Sequence, residues 1–233
     1  MEIVGAEPPT ADRIRERHDR LLARLREKAA ANGHDPERLR IVAVTKTWPA
    51  EVARAAVDAG LTRLGESRIQ EAEPKIAAVP EAEWHFVGRL QSNKARRALR
   101  GFAVIHSVDS FELLGRLREI GAEEGRHPAL LLQVNVTGEE AKAGITPEAA
   151  LADTRLLAGT GLIGLMTIAP MGASVDEARS IFARLRELRA RLEQAAGIGL
   201  PELSMGMSAD AEAAAAEGAT LVRIGTALFG PRG

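Results

Sequence analysis

Short apolar runs alternate with longer helical patterns along almost the whole chain, and this alternation constrains the fold more than any other feature. The runs that predict strands are Leu39–Thr45, Leu61–Gly65, Trp84–Gly88, Ala103–Val108, Ala129–Val136, Leu162–Thr167, Leu203–Met205 and Thr220–Ile224. Apolar residues at helical spacing predict helices over Asp12–Ala31, Ala50–Ala59, Ser67–Ala78, Ser92–Leu99, Ser110–Glu124, Pro147–Leu157, Val175–Ala196 and Ala209–Glu217. Strands that are separated by helices pair in parallel through crossover connections.

Eight strand–helix units in 233 residues are compatible with two architectures, an open doubly wound sheet and a closed (β/α)8 barrel. The chain length favours the barrel. No linker rich in Pro, Gly or Ser divides the chain. We therefore predict an α/β fold with one domain over residues 1–233, a (β/α)8 TIM barrel that carries an extra N-terminal helix.

The composition excludes several classes of function. The net charge is −1, which gives no electrostatic reason to expect a nucleic acid or an anionic membrane as partner. The sequence contains no cysteine, so disulfides and thiolate chemistry are excluded. No membrane span or signal peptide is recognisable. We expect a cytoplasmic protein, and its densely charged helices predict a monomer.

Lys46 follows the first predicted strand, and the ends of barrel strands are where side chains with chemical roles are found. The chain has only five lysines among its 31 Lys and Arg residues. A lysine can lose its proton when buried, whereas an arginine cannot. Lys46 could be an ordinary barrel-end residue, an electrostatic partner of a phosphate, or a nucleophilic amine that forms a Schiff base with an aldehyde.

Two glycine-containing turns follow the seventh and eighth strands, in the segments SMGMSADAEAA and LVRIGTALFG. Free backbone N–H groups at such turns bind anions, and barrels often bind phosphate with these two loops. The pair predicts a phosphate site that includes Ser208, Gly225 and Thr226. The alternative is that Ser208 only caps the following helix and that Gly225 only permits a tight turn.

Arg223 lies two residues before Gly225, so both residues face the same side of the eighth strand. A buried arginine requires an acceptor. Three acceptors are possible from the sequence: the phosphate, a structural carboxylate, or a ring nitrogen of a cofactor.

Spaced motifs from about Arg40 to Gly230 resemble those of the pyridoxal-phosphate homeostasis proteins. They are AVTKTWP, LGESRIQE, WHFVGRLQSNKARR, QVNVTGEEAKAG, GLMTIAP and LSMGMSADAEAAAAEGATLVRIGTALFG. The resemblance implies a barrel like the N-terminal domain of alanine racemase, with pyridoxal 5′-phosphate as cofactor. By motif, Lys46 is the Schiff-base lysine, while Ser208, Gly225 and Thr226 hold the phosphate. The resemblance also implies that Arg223 faces the pyridine nitrogen and that Ser67 and Met166 are further cofactor contacts.

The chain departs from the family pattern in the same region. Ser67 and Arg68 stand where family members usually have Asn and Tyr. Trp48 stands where family members often have a second lysine.

Two functions are compatible with these residues, a cofactor carrier and an amino-acid racemase of weak activity. Racemisation needs a proton donor or acceptor on each face of the α-carbon. Alanine racemase uses a tyrosine opposite its lysine, and the related decarboxylases use a cysteine. This sequence contains neither residue type. We therefore predict a pyridoxal-phosphate carrier without robust catalysis, which contacts apo-enzymes transiently.

Four other residues are possible participants. His85 and His106 lie in the third and fourth predicted strands, and we expect each to be structural, with a backbone partner. Lys94 and Lys142 lie in loops within family motifs, where either could receive the cofactor transiently.

Overall fold

The computed structural model describes residues 8–139 and 143–231. Within these residues, eight parallel strands form a closed barrel in sequence order. The strands are β1 Arg40–Val44, β2 Arg63–Glu66, β3 Glu83–Phe86, β4 Val104–Val108, β5 Ala129–Gln133, β6 Leu162–Met166, β7 Glu202–Ser204 and β8 Leu221–Ile224. The predicted TIM barrel is confirmed, and each predicted strand is present with ends that differ by at most three residues.

The described part of the chain also contains nine α-helices, which surround the barrel. They are α1 Ala11–Ala31, α2 Ala50–Asp58, α3 Ile69–Ala78, α4 Ala95–Gly101, α5 Phe111–Glu124, α6 Pro147–Ala152, α7 Val175–Ala196, α8 Ala211–Ala216 and α9 Thr226–Phe229. The segments predicted as single helices over Ser92–Leu99 and Pro147–Leu157 each contain a short 3-10 turn. The four-residue helix α9 was not expected from the sequence.

The leading helix α1, predicted as the extra N-terminal element, begins where the side chain of Thr10 accepts a hydrogen bond from the backbone of Arg13. The long helix α7 begins with a capping box formed by Ser174 and Glu177 and ends at Gly197, whose φ is 65°. These side chains satisfy N–H groups that a helix leaves without partners in its first turn. None of the helices in the described ranges combines the length and apolar character needed to cross a membrane.

Two apolar clusters stabilise the fold. The larger one lies between the strands and the surrounding helices and includes the fully buried Phe86 and Phe182. The smaller one lies inside the barrel and consists of Val42, Val104, Leu131, Met166 and Leu221. Because successive side chains of a strand point to opposite faces, both clusters draw on the same strands.

The pairing of β1 with β8 closes the barrel and determines which loops adjoin. Ala43 lies opposite Ile224 in this pair. A Cβ atom added to Gly225 would lie 3.4 Å from the carbonyl oxygen of Val44. The loop that carries Lys46 therefore begins beside the loop that carries Gly225, as the sequence predicts.

Gly164 on β6 permits the close approach of β7, and its replacement tests the barrel packing. A Cβ at this position would lie 2.0 Å from the carbonyl oxygen of Glu202. We expect Gly164→Ala to lower the free energy of unfolding by about 2–3 kcal/mol through overpacking, measured by urea denaturation.

Gly115→Ala is the matched control for this substitution. Gly115 lies inside α5, and an added Cβ would meet nothing within 4 Å. We expect the free energy of unfolding of this variant to rise by roughly 0.5–1 kcal/mol, because alanine is the better helix former. Equal stability of Gly164→Ala and the wild type would contradict the packing described for β6 and β7.

Candidate cofactor site

Lys46 lies two residues beyond the end of β1 and is half-buried, rather than forming the last residue of the strand. The next residue, Thr47, has a φ of 68°. This left-handed conformation is rare for a β-branched residue and is typical of functional sites. The backbone N–H of Thr47 donates a hydrogen bond to Glu71 Oε2 at 3.2 Å, which stabilises the turn after Lys46.

Thr45, on the other side of Lys46, belongs to a buried polar cluster with Glu66 and Lys75. The hydroxyl of Thr45 donates to Glu66 Oε1 at 2.7 Å. Lys75 Nζ donates to the same oxygen at 2.6 Å and to the carbonyl of Thr45 at 2.8 Å. Burial raises the pKa of Glu66, although its hydrogen bonds from Lys75 and Thr45 oppose the shift. Both backbone neighbours of Lys46 are thus fixed by charged residues.

The turns after β7 and β8 are joined by a hydrogen bond in which the N–H of Ala227 donates to Ser208 Oγ at 3.4 Å. Ser208 does not cap α8, because the residue before that helix is Asp210. The carboxylate of Asp210 accepts a hydrogen bond from the N–H of Met207 at 2.5 Å. The capping role considered for Ser208 is therefore wrong, and its hydroxyl links the two predicted phosphate turns.

Gly225 does not need to be glycine for reasons internal to the protein. Its φ is −113°, outside the left-handed region. An added Cβ would make only ordinary contacts, the nearest at 3.4 Å. The tight-turn explanation for this glycine thus finds no support, whereas close approach of a ligand to the backbone remains a reason for it. Thr226 begins α9 next to this glycine and is exposed.

Arg223 is buried, and its guanidinium is held by two acceptors. Nη1 donates to Ser204 Oγ at 2.6 Å, and Nη2 donates to the carbonyl of Thr167 at 2.9 Å. No carboxylate among the described residues forms an ion pair with it, so the direct carboxylate partner considered from the sequence is wrong. Burial lowers the pKa of Arg223 to about 10, and the negative charge of Asp210 opposes this shift.

Comparisons with known proteins agree on one family. The family model described as alanine racemase, N-terminal domain, matches residues 19–233. The pyridoxal phosphate homeostasis protein of Pseudomonas aeruginosa is 46% identical over 225 residues, which cover 94% of this chain and 96% of that protein. The chain belongs to the pyridoxal phosphate homeostasis protein family.

Two solved structures extend the comparison. PipY of Synechococcus elongatus, solved with PLP bound, is 42% identical, with a TM-score of 0.78 and coverage of 88% of this chain and 100% of PipY. Alanine racemase of Corynebacterium glutamicum is 17% identical, with a TM-score of 0.73 and coverage of 95% and 62% of the two chains. The second likeness shows the shared fold alone.

The residues at this end of the barrel fit pyridoxal phosphate, the cofactor in the name of the homeostasis protein family. A half-buried amine, Lys46, lies beside two joined turns that offer the Ser208 hydroxyl and backbone N–H groups for a phosphate. Gly225 has no Cβ that would block a ligand from the backbone. Arg223 supplies a fixed positive charge near the same strand end. The pyridine nitrogen of the cofactor could lie against its guanidinium.

Ser67 and Met166 lie in different surroundings from the central residues of the site. Ser67 lines a cleft of about 160 Å³ together with Phe86 and Lys94. Met166 is fully buried in the apolar cluster inside the barrel, where it packs with Val42. Their contacts with the cofactor stay predictions, as do the roles of the two loop lysines. Lys142 lies outside the described residues.

Three residues with clear roles in the site were not identified from the sequence. Ser204 and Thr167 hold Arg223, and Lys75 holds the carbonyl before Lys46. Lys75 lies in the last turn of α3, where a lysine is usually solvated, yet only 5% of it is exposed. The signal for Ser204 was available, because it lies two residues before Gly206 of the turn after the seventh strand and so faces the same side.

His85 and His106 do not have the backbone partners expected for them. His85 Nε2 lies 2.8 Å from Glu83 Oε1, and His85 Nδ1 lies 2.8 Å from His106 Nε2. His106 Nδ1 lies 2.8 Å from Ser204 Oγ. Burial lowers the pKa of both rings, most strongly that of His106. The two histidines therefore join the residues that hold Arg223.

These lowered pKa values predict a loss of stability in mild acid. The unfolded chain takes up protons on both rings below about pH 6.5, whereas the folded protein does not, so unfolding becomes more favourable as the pH falls. Between about pH 7.5 and about pH 5.5, we expect the free energy of unfolding to fall by about 1.4 kcal/mol for each ring that stays neutral. Urea denaturation at the two pH values measures this loss.

The matched variant for this measurement is His106→Asn, which removes one titrating ring and should reduce the loss of stability by about 1.4 kcal/mol. The control is His127→Asn, which should keep the whole effect because this exposed side chain lies outside the buried hydrogen bonds of His85 and His106. A wild-type protein that is equally stable at both pH values would show that the buried rings take up protons in the folded state.

Proposed function

We propose that this protein binds pyridoxal 5′-phosphate at the barrel mouth and serves as a carrier in the homeostasis of this cofactor, affecting amino-acid metabolism indirectly. Lys46 is the proposed attachment point, where it holds the aldehyde as a Schiff base. The observation that carries the proposal is the β1–β8 closure, which brings the Lys46 loop beside the joined turns of Ser208 and Ala227.

The phosphate is assigned to the two joined turns. The hydroxyls of Ser208 and Thr226 and the backbone N–H groups at the start of α9 are suitable donors for an anion. This assignment accounts for the linked arrangement of the two loops and for Gly225, whose missing Cβ leaves the backbone accessible.

Arg223 is assigned to the pyridine nitrogen of the cofactor. Bound pyridoxal phosphate supplies an electron sink to enzymes that protonate this nitrogen. A buried guanidinium disfavours a proton on a neighbouring nitrogen, because two positive charges would then lie together. The residue that binds the ring therefore makes the cofactor a weaker electron sink than a carboxylate partner would.

The alternative of a weak racemase follows from the fold likeness to alanine racemase. The side chains of this protein do not support it. The sequence contains no tyrosine and no cysteine to act opposite Lys46. His85 and His106 are buried inside the barrel and hydrogen-bonded to each other.

A carrier instead needs transient contact with apo-enzymes, which we propose as its protein partners.

Substitution of Lys46 tests the attachment point. Protein that has been incubated with pyridoxal phosphate and reduced with borohydride should retain a covalent adduct, visible by absorbance and intact mass. We expect Lys46→Ala to lose this adduct and to bind the cofactor at least about tenfold more weakly, a change of about 1.4 kcal/mol.

Lys28→Ala is the control, since Lys28 is an exposed residue of α1. This variant should form the adduct like the wild type. An adduct of equal occupancy in Lys46→Ala would overturn the assignment of the lysine.

A further inference from the structure

Arg223 is one end of a continuous chain of hydrogen bonds that crosses the barrel interior. Its guanidinium contacts Ser204 Oγ at 2.6 Å, and Ser204 Oγ contacts His106 Nδ1 at 2.8 Å. His106 Nε2 contacts His85 Nδ1 at 2.8 Å, and His85 Nε2 contacts Glu83 Oε1 at 2.8 Å. Ser204, His106 and His85 are each at most 1% exposed. Four strands contribute to this hydrogen-bond chain.

The two ends of the hydrogen-bond chain fix the position of every proton in it. Arg223 can only donate, and an ionised Glu83 can only accept. The hydrogen bond from His85 lowers the pKa of Glu83, which favours its ionised form. Ser204 must therefore donate its hydroxyl proton to His106, and each ring must carry its single proton on Nε2. These positions hold while both rings are neutral, the form that burial favours by lowering their pKa values.

Other charged groups surround the far end of the hydrogen-bond chain at Glu83. Arg63 of β2 forms an ion pair with Glu83 Oε1 at 3.2 Å. Arg40 of β1 pairs with Glu202 Oε2 of β7 at 2.5 Å. All four residues lie at the start of their strands, and 45% of the Glu83 side chain is exposed. The hydrogen-bond chain thus connects a solvent-accessible carboxylate at the N-terminal end of the barrel with Arg223 near the mouth.

We propose that Ser204, His106 and His85 are positioning residues that orient Arg223 for the cofactor and couple the cofactor site to Glu83 at the opposite end of the barrel. The inference rests on the proposed function, because it places the cofactor ring against Arg223. Hydrogen bonds in one chain polarise each other, so a new acceptor at the guanidinium changes every link behind it.

Side-chain ¹⁵N NMR tests the proton arrangement before any cofactor is added. The sequence contains five histidines, so the two buried rings can be assigned by single substitutions. We expect both rings in the neutral Nε2–H form from about pH 6.5 to pH 8. A charged ring, or a proton on Nδ1 of either ring, would overturn the hydrogen-bond chain as described.

Addition of pyridoxal phosphate tests the coupling. We expect the ¹⁵N signals of both His106 and His85 to move when absorbance shows that the cofactor is bound. In Ser204→Ala the hydroxyl link is missing, so these shifts should disappear at saturating cofactor, whereas Ser204→Thr should restore them. Signals that stay unmoved in the wild type with bound cofactor, or that move equally in Ser204→Ala, would overturn the proposal.

Glu83→Gln tests the same coupling from the accessible end, where a substitution is compatible with the fold. Its matched control is Glu202→Gln, which removes the same charge at the same end of the barrel but leaves the hydrogen-bond chain intact. We expect the Kd for pyridoxal phosphate to rise about tenfold in Ser204→Ala and roughly threefold in Glu83→Gln. Glu202→Gln should change it by less than about twofold.

If Glu83→Gln and Glu202→Gln raised the Kd equally, the loss of a negative charge at this end of the barrel would explain both effects. This result would overturn the coupling through the hydrogen-bond chain. A wild-type protein that shows no cofactor absorbance would overturn the proposed function and the coupling together. The proton arrangement in the cofactor-free protein is a separate result, so the two failures are distinguishable.

Discussion

The pairing of β1 with β8 is the contact on which the rest of the structure depends. It closes the barrel through the register of Val42 with Arg223 and Ala43 with Ile224. This register places Lys46, two residues after β1, beside the loop that begins at Gly225. A shift by one residue would reverse the facing of every side chain on β8 and would remove Arg223 from the barrel interior. The proposed cofactor site is therefore a direct consequence of barrel closure.

The interior of this barrel is unusual for its fold, because polar residues replace part of the usual apolar filling. Buried polar groups without partners cost about 1–3 kcal/mol each, so such an interior is stable only when its hydrogen bonds are made. Inside the barrel, the hydrogen-bond chain of Ser204, His106 and His85 satisfies this requirement. It fixes the guanidinium of Arg223 through Ser204. A separate cluster between the strands and α3 fixes the backbone around Lys46 through Lys75 and Glu66. Contacts within the protein thus hold Arg223 and the backbone on either side of Lys46, the two residues proposed to bind the cofactor.

The sequence predicted the architecture because strand and helix periodicities are local, and all eight strands were found near their expected positions. It predicted Lys46, Ser208 and Gly225 as neighbours because barrel topology brings known strand ends together. It could not predict that His85 pairs with His106, since that contact depends on the stagger between β3 and β4. Lys75 was missed for a similar reason. Its burial depends on how α3 packs against the end of β1, which no helical pattern reveals.

The central claim is that Lys46 holds an aldehyde without a second group to complete a catalytic pair. Incorporation of deuterium at the α-carbon of L-amino acids, measured by NMR with cofactor-loaded protein in deuterated water, tests this claim most directly. The account predicts exchange far slower than about 1 per second, the lower end of ordinary enzyme turnover. Exchange or racemisation at about that rate or faster would contradict it and would identify the protein as an enzyme.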